Sequence, residues 1–172
     1  MILGAILAGG QARRFGSDKA LVYVAGKRMV DRVAGQLARQ CDVVILCGRQ
    51  LAGFRSVPDR PAPDLGPLGG IAAALRVAAD EGFAQVLTVP CDVPDVPGDL
   101  LARLGEAPAY ARDCPVIGLW PAALADRIDA FLAESDDRSL RAWARACGAR
   151  ATPALGLANI NRPEDLAAFL AR

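Results

Sequence analysis

The chain has 172 residues, with 20 Lys plus Arg against 19 Asp plus Glu, five cysteines and no histidine. Its 53% hydrophobic and 23% charged content is that of a globular chain, and at roughly 150 residues per domain it reads as one domain over 1–172. A net charge of +1 excludes a broad nucleic-acid face, and the lack of histidine excludes Ser-His and Cys-His nucleophile pairs, histidine metal ligands and imidazole proton shuttles.

The longest uncharged stretches, Met1 to Ala12 and Cys114 to Ala125, are twelve residues each. A membrane span needs about 20 apolar residues, so no membrane partner is expected. Met1 to Gly10 lacks the leading Lys or Arg of a signal peptide and reads as a buried first strand. The cysteines at 41, 47, 91, 114 and 147 form no C-x-x-C pair. The number is odd, and Cys41, Cys47 and Cys91 sit in apolar runs and read as small buried core thiols in a reducing compartment, which points to the cytoplasm.

In chain order, Ile2 to Ala8 is an apolar run of strand length that ends at Gly9-Gly10, and a polar loop from Gln11 to Lys19 follows. Met29 to Arg39 has the spacing of an amphipathic helix, with Val30, Val33 and Leu37 on one face. Val43 to Cys47 is a second strand, whose continuous apolar pattern suits a parallel strand covered on both sides. A third strand is expected over Phe54 to Val57. Pro67 stands where the first turn of a helix accepts it, and that helix runs to Asp80, closed by Gly82. Ala84 to Val89 is another buried strand. A short helix over Pro97 to Leu104, a strand over Pro115 to Leu119 and helices over Ala122 to Ala133 and Ser139 to Cys147 come next. Short extended pieces fall within Ala151 to Ile160, and a helix over Pro163 to Leu170 closes the chain. Alternating strands and helices predict a three-layer α/β fold with a mostly parallel sheet, in which ligands bind beyond the carboxyl ends of strands.

Four segments carry chemistry. Leu7 to Lys19 sets glycines at a strand end and then three cations, Arg13, Arg14 and Lys19. Glycines let backbone N–H groups approach phosphate oxygens, and Arg and Lys neutralise polyphosphate charge. Neither G-x-x-x-x-G-K-[ST] nor G-x-G-x-x-G aligns to it, and a solvated basic turn is the plain alternative. In Val89-Pro90-Cys91-Asp92-Val93-Pro94 a carboxylate leaves a hydrophobic strand, where it is placed either to hold Mg²⁺ or to cap a turn. Asp59 is a second such carboxylate. Two glycines in the first turn of Pro67-Leu68-Gly69-Gly70-Ile71 weaken a helix, so something approaches closely: a flat base, or the sheet beneath. Asn159-Ile160-Asn161-Arg162 either caps the closing helix or presents two amides to a polar ligand.

Together these segments resemble the molybdenum cofactor guanylyltransferase (MobA) family of the nucleotidyltransferase superfamily. Leu-Ala-Gly-Gly-x-x-x-Arg-x-Gly-x-Asp-Lys, Gly-Pro-Leu-Gly-Gly-Ile, Pro-Cys-Asp-Val-Pro and Asn-Ile-Asn-Arg-Pro-Glu-Asp-Leu occur in the family's order, from about Ile2 to Leu170. The resemblance implies a Rossmann-like three-layer fold and transfer of GMP from GTP to molybdopterin with release of pyrophosphate. It implies that Leu7, Ala8, Gly9 and Gly10 hold the nucleotide through backbone groups and that Arg14 and Lys19 engage its phosphates. Asp92 would hold Mg²⁺, Asp59 would contact the nucleotide, Gly66, Pro67, Leu68 and Gly69 would border the guanine, and Asn159 and Asn161 would lie on the pterin side. An Asn of some members aligns with Leu46, which removes a side-chain amide from that strand end. At Arg162 the family often has Thr. GTP and molybdopterin are the expected partners, with transient contacts to proteins that insert molybdenum or receive the cofactor. The alternatives are a cytidylyltransferase acting on molybdopterin or on a sugar or alditol phosphate, and a non-catalytic GTP-binding module.

Overall fold

The computed structural model describes residues 1–9, 19–63 and 65–171, without the side chains of Lys19 and Pro163. The expectations for Gly10, Arg13 and Arg14, and for the side chain of Lys19, fall outside the described residues.

The first apolar run forms β1 (Ile2–Leu7), and β2 (Tyr23–Val24) and β3 (Lys27–Arg28) make a small antiparallel hairpin before α1 (Met29–Leu37). Next come β4 (Val43–Cys47), β5 (Ser56–Val57), α2 (Pro67–Glu81) and β6 (Gln85–Pro90). The second half holds α3 (Leu100–Leu104), β7 (Ala109–Ala111), β8 (Gly118–Pro121), α4 (Ala125–Glu134), α5 (Leu140–Cys147), β9 (Arg150–Thr152) and α6 (Pro163–Leu170). Seven strands form one sheet in the order β5-β4-β1-β6-β8-β7-β9. Only β8 runs against its neighbours β6 and β7; every other pairing is parallel.

Alternation along the central strands divides the core between the two faces of the sheet. Leu3, Ala5 and Leu7 of β1 join Ile45, Val86 and Trp120 under α2, α4 and α5. Ile6, Leu46, Leu87 and Val89 face the other way, against Val30, Val33 and Leu37 of α1 and Leu100 and Leu104 of α3. Each fully buried Leu or Ile contributes about 1.5–3 kcal/mol over its exposed state, so this double-sided burial is what holds the three layers together. Among the described residues no helix is long and apolar enough to cross a membrane.

The elements differ from the sequence reading on both sides of β6. The strand expected over 115–119 begins at Gly118, because Ile117 N–H closes a turn onto the Cys114 carbonyl at 2.8 Å. Gly118 has a packing reason: a Cβ there would lie 2.4 Å from Cζ2 of the buried Trp120 ring. That indole donates to Thr88 Oγ1 at 3.0 Å, and the Thr88 hydroxyl donates to the Val116 carbonyl at 2.7 Å, so the buried polar groups are satisfied. The third strand is only Ser56–Val57, while β7 and the β2–β3 hairpin are additional to the sequence reading.

Candidate functional site

The carboxyl ends of β1, β4, β5 and β6 converge through backbone bonds that run past the strands. Ala8 N–H donates to the Cys47 carbonyl at 2.9 Å, Gly48 N–H to Val57 at 2.9 Å and Cys91 N–H to Leu7 at 3.1 Å. At this edge the chains touch closely. Gly48 has φ +86°, and a Cβ on it would sit 2.5 Å from Cα and 2.7 Å from N of Gly9. Only glycine meets both demands, the backbone conformation and the space.

The Asp59 carboxylate occupies the nook these glycines leave. Its Oδ2 is 2.8 Å from the Cβ position of Gly9, its Oδ1 is 2.9 Å from that of Gly48, and its own Cβ is 3.0 Å from that of Gly69. Gly70 lies against Leu7 and Cys47 in the same way. The paired glycines of α2 therefore let the helix N-terminus settle onto the strand ends and Asp59, and the packing explanation accounts for both. A carboxylate beside the first turn of a 15-residue helix is favourably placed toward the helix dipole. Arg60 N–H donates to the Gly69 carbonyl at 3.1 Å and its guanidinium pairs with Asp129 of α4 at 3.3 Å, which fixes the loop directly after Asp59. Burial, reinforced by the Asp59 charge, pushes the Cys47 thiol up to about 12, so Cys47 is neutral and inert at the floor of this nook.

Gly66, Pro67 and Leu68 start α2. Gly66 adopts φ 65° and ψ −157°, a region essentially closed to side-chain-bearing residues, and Pro67 follows at the first helical position. Leu68 is fully buried in the core, and its side chain presents nothing to the site. Leu46 is fully buried as well and presents nothing to the strand end. Lys19 opens a short 3₁₀ turn, Lys19–Leu21, anchored by the buried Ala20.

Asp92 follows β6 on the other side of β1. It is half-buried, and its Oδ1 is shut off from solvent. Among the described residues no group of three or more His, Cys, Asp or Glu is arranged to hold a metal by itself. One or two carboxylates, completed by waters and substrate phosphate oxygens, is the donor set Mg²⁺ prefers, and Asp92 fits that pattern. The late Asn-x-Asn segment lies beside it: Ile160 N–H donates to the Asp92 carbonyl at 2.9 Å. Ile160 is fully buried with Val24 and Met29, which leaves Asn159 and Asn161 exposed on either side. Burial raises the pKa of the Cys114 thiol, and the nearby Asn159 side chain acts on it in the opposite sense. Asn161 and Arg162 donate their backbone N–H groups to Asp165 Oδ2 at 2.9 and 2.8 Å, so capping of α6 falls to Asp165.

The structure thus brings Gly9, Asp59, Gly66, Gly69, Asp92, Asn159 and Asn161 to one edge of the sheet. It adds Gly48, Asp113 and Cys114, which sequence reading did not single out. Gly48 had a signal in its place directly after a strand; Asp113 and Cys114, in a short turn between β7 and β8, had none.

Residues 4–151 match the family model described as a MobA-like NTP transferase domain. The chain is similar to a molybdenum cofactor guanylyltransferase of Rhodobacter capsulatus, 41% identical over 96% of this chain and 93% of that protein. Another relative of that name, from Cereibacter sphaeroides, is 39% identical over 96% of this chain and 94% of its own length. Among solved structures, the fold is similar to that of molybdopterin-guanine dinucleotide biosynthesis protein A from Archaeoglobus fulgidus. There the TM-score is 0.75 at 20% identity, covering 98% of this chain and 96% of the other.

Proposed function

The chain belongs to the MobA-like NTP transferase family, and from that premise we propose that it is a molybdenum cofactor guanylyltransferase, moving GMP from GTP to the terminal phosphate of molybdopterin. The observation that carries this reading is the 39–41% identity, over nearly the whole length, to proteins of that name. Residues 1–172 are read as one nucleotidyltransferase domain, acting in the cytoplasm and in transient contact with the proteins that insert molybdenum or receive the finished cofactor.

An oxygen of the acceptor phosphate attacks the α-phosphorus of GTP; that P–O bond forms as the bond from the α-phosphorus to the bridging oxygen breaks, and pyrophosphate leaves. A phosphate monoester has its second pKa at about 6, so the nucleophile is already ionised at neutral pH. No general base is needed, in keeping with a chain that has no histidine. The remaining task is to align two anions and hold the charge that builds on the leaving group.

In this reading Leu7 to Gly10 receive the nucleotide on their backbone, with Asp59 beneath. Gly66 to Gly69 border the base, and Arg14 and Lys19 neutralise the phosphates. Asp92 would hold a divalent cation, Mg²⁺ by its donor preference. When bound, that ion screens the α-phosphate and the departing pyrophosphate. Asn159 and Asn161 face the acceptor. Support for this division comes from the placement of Asp59 and Asp92 beyond strands on opposite sides of β1.

The test incubates the protein with Mg²⁺, molybdopterin and either GTP or CTP, followed by mass analysis. A GMP adduct with one pyrophosphate per adduct is expected from GTP. A CMP adduct in its place would make the protein a cytidylyltransferase, and GTP binding with no pyrophosphate would make it a carrier.

A further inference from the structure

The segment from Pro153 to Asn161 has no regular secondary structure, yet it is held at three points along the sheet edge. Leu155 and Gly156 donate their N–H groups to Asp113 Oδ1 and Oδ2 at 3.0 and 2.8 Å. Asn159 comes near the thiol of Cys114, the next residue in the same turn, and works to lower its pKa. Ile160 N–H then reaches the Asp92 carbonyl at 2.9 Å. The turn carrying Asp113 and Cys114 joins β7 to β8, on the far side of β6 from Gly48 and Asp59. A phosphoryl-transfer step with its attacking and leaving oxygens in line needs donor and acceptor on opposite sides of the reacting phosphorus. With the nucleotide on the β1–β4 side, the strap over the β6–β8–β7 side is the floor the acceptor meets.

We infer that Asp113 is a positioning residue for the acceptor: its carboxylate staples Leu155 and Gly156 and so sets where Asn159 and Asn161 stand relative to Asp92. Both carboxylate oxygens are engaged, one per backbone N–H, an arrangement that fixes the strap in direction as well as in place. Burial works to raise the Asp113 carboxyl, but the N–H groups of Leu155, Gly156, Asp113 and Cys114 outweigh it and its pKa is lowered. The staple is therefore ionised and closed throughout the neutral range. The effect on the acceptor is indirect, because Asp113 acts through the strap.

This inference rests on the guanylyltransferase reading, and its test separates the two. Asp113→Ala and Asp113→Asn are compared with the unaltered protein for molybdopterin KM, kcat, and GTP affinity in the presence of Mg²⁺. Amide exchange is followed over 153–161. Asp113→Ala is expected to raise the acceptor KM about ten-fold or more, as small misplacements of a positioning group do, with GTP affinity unchanged. Faster exchange should be confined to the strap. Asp113→Asn, which keeps a single carbonyl acceptor, should recover part of the loss. An unchanged acceptor KM, unchanged exchange at Leu155 and Gly156, or an equal loss of GTP affinity would overturn the role of Asp113. So would failure of both variants to fold. If the unaltered protein transfers no GMP, the functional reading itself fails and the inference falls with it.

Discussion

Gly48→Ala tests whether the site depends on backbone contact between β1 and β4. The added methyl would stand 2.5 Å from Cα and 2.7 Å from N of Gly9, and 2.9 Å from Asp59 Oδ1. Two of those three atoms are backbone, so relief requires the end of β1 or the end of β4 to move. A left-handed conformation costs an alanine about 1–2 kcal/mol, and overpacking a closed site adds about 1–3 kcal/mol. The sum, about 2–5 kcal/mol, is a large part of the roughly 5–15 kcal/mol that holds a domain together. Gly53→Ala separates the two components, because Gly53 has φ +89° with nothing within 4 Å of its Cβ position. It should lose only the conformational part, about 1–2 kcal/mol. Urea unfolding gives both losses, and pyrophosphate release at varied GTP gives the catalytic effect. A displacement of about 1 Å in the nucleotide cradle is expected to lower kcat/KM for GTP about 100-fold in Gly48→Ala, with Gly53→Ala near the unaltered value. Equal stability losses in the two variants, together with an unchanged KM for GTP, would refute the reasoning.

Asp92→Asn and Lys19→Ala should each nearly abolish guanylylation while far-UV circular dichroism stays unchanged; an active Lys19→Ala protein would remove that residue from the phosphate site. Gly118→Ala, whose methyl would fall within 2.4–2.8 Å of three atoms of the Trp120 ring, should lower stability by about 1–3 kcal/mol in denaturant titration. Burial pushes the thiols of Cys41 and Cys47 up to about 12, so both should resist alkylation at pH 8 in the native protein and react once it is unfolded, which mass mapping of labelled peptides will read.

The first half of the fold is legible because its strands are buried on both faces and are therefore continuous apolar runs, as in Val43–Cys47, whose bounds agree with the sequence reading. Beyond β6 the signals weaken. The three residues of β7, Ala109–Ala111, include two alanines and no β-branched residue, and their pairing with β8 and β9 is a long-range choice. The reversal of β8 follows from the turn at Asp113 to Ile117, a geometry that apolar pattern alone does not encode. The hairpin of β2 and β3 turns at Ala25-Gly26 with Ala25 at φ 48°, an uncommon conformation for alanine and so a poor turn signal. At the site, glycines and strand-end carboxylates stand out in the sequence because they interrupt apolar runs. Their mutual contact does not: Gly9, Gly48, Asp59 and Gly69 meet only when the sheet assembles. The same holds for Asp113, whose partners lie 42 and 43 residues away.

The absence of histidine is best understood from the way this edge is built. Among the described residues, backbone groups and carboxylates stand there beside Asn159, Asn161 and Cys114, and several are fixed by something outside themselves: Asp59 by glycines from three strand or helix ends, the strap by Asp113, and the Asp92 carbonyl by Ile160. Groups held in this way need little reorganisation as charge shifts, which is where electrostatic catalysis gains most. A reaction whose nucleophile is already an anion makes no call on a proton shuttle. Histidine introduced at the site should therefore leave the neutral pH profile of the transfer step flat, whereas loss of a fixed contact at Gly48 or Asp113 should change the affinity for one substrate and spare the other.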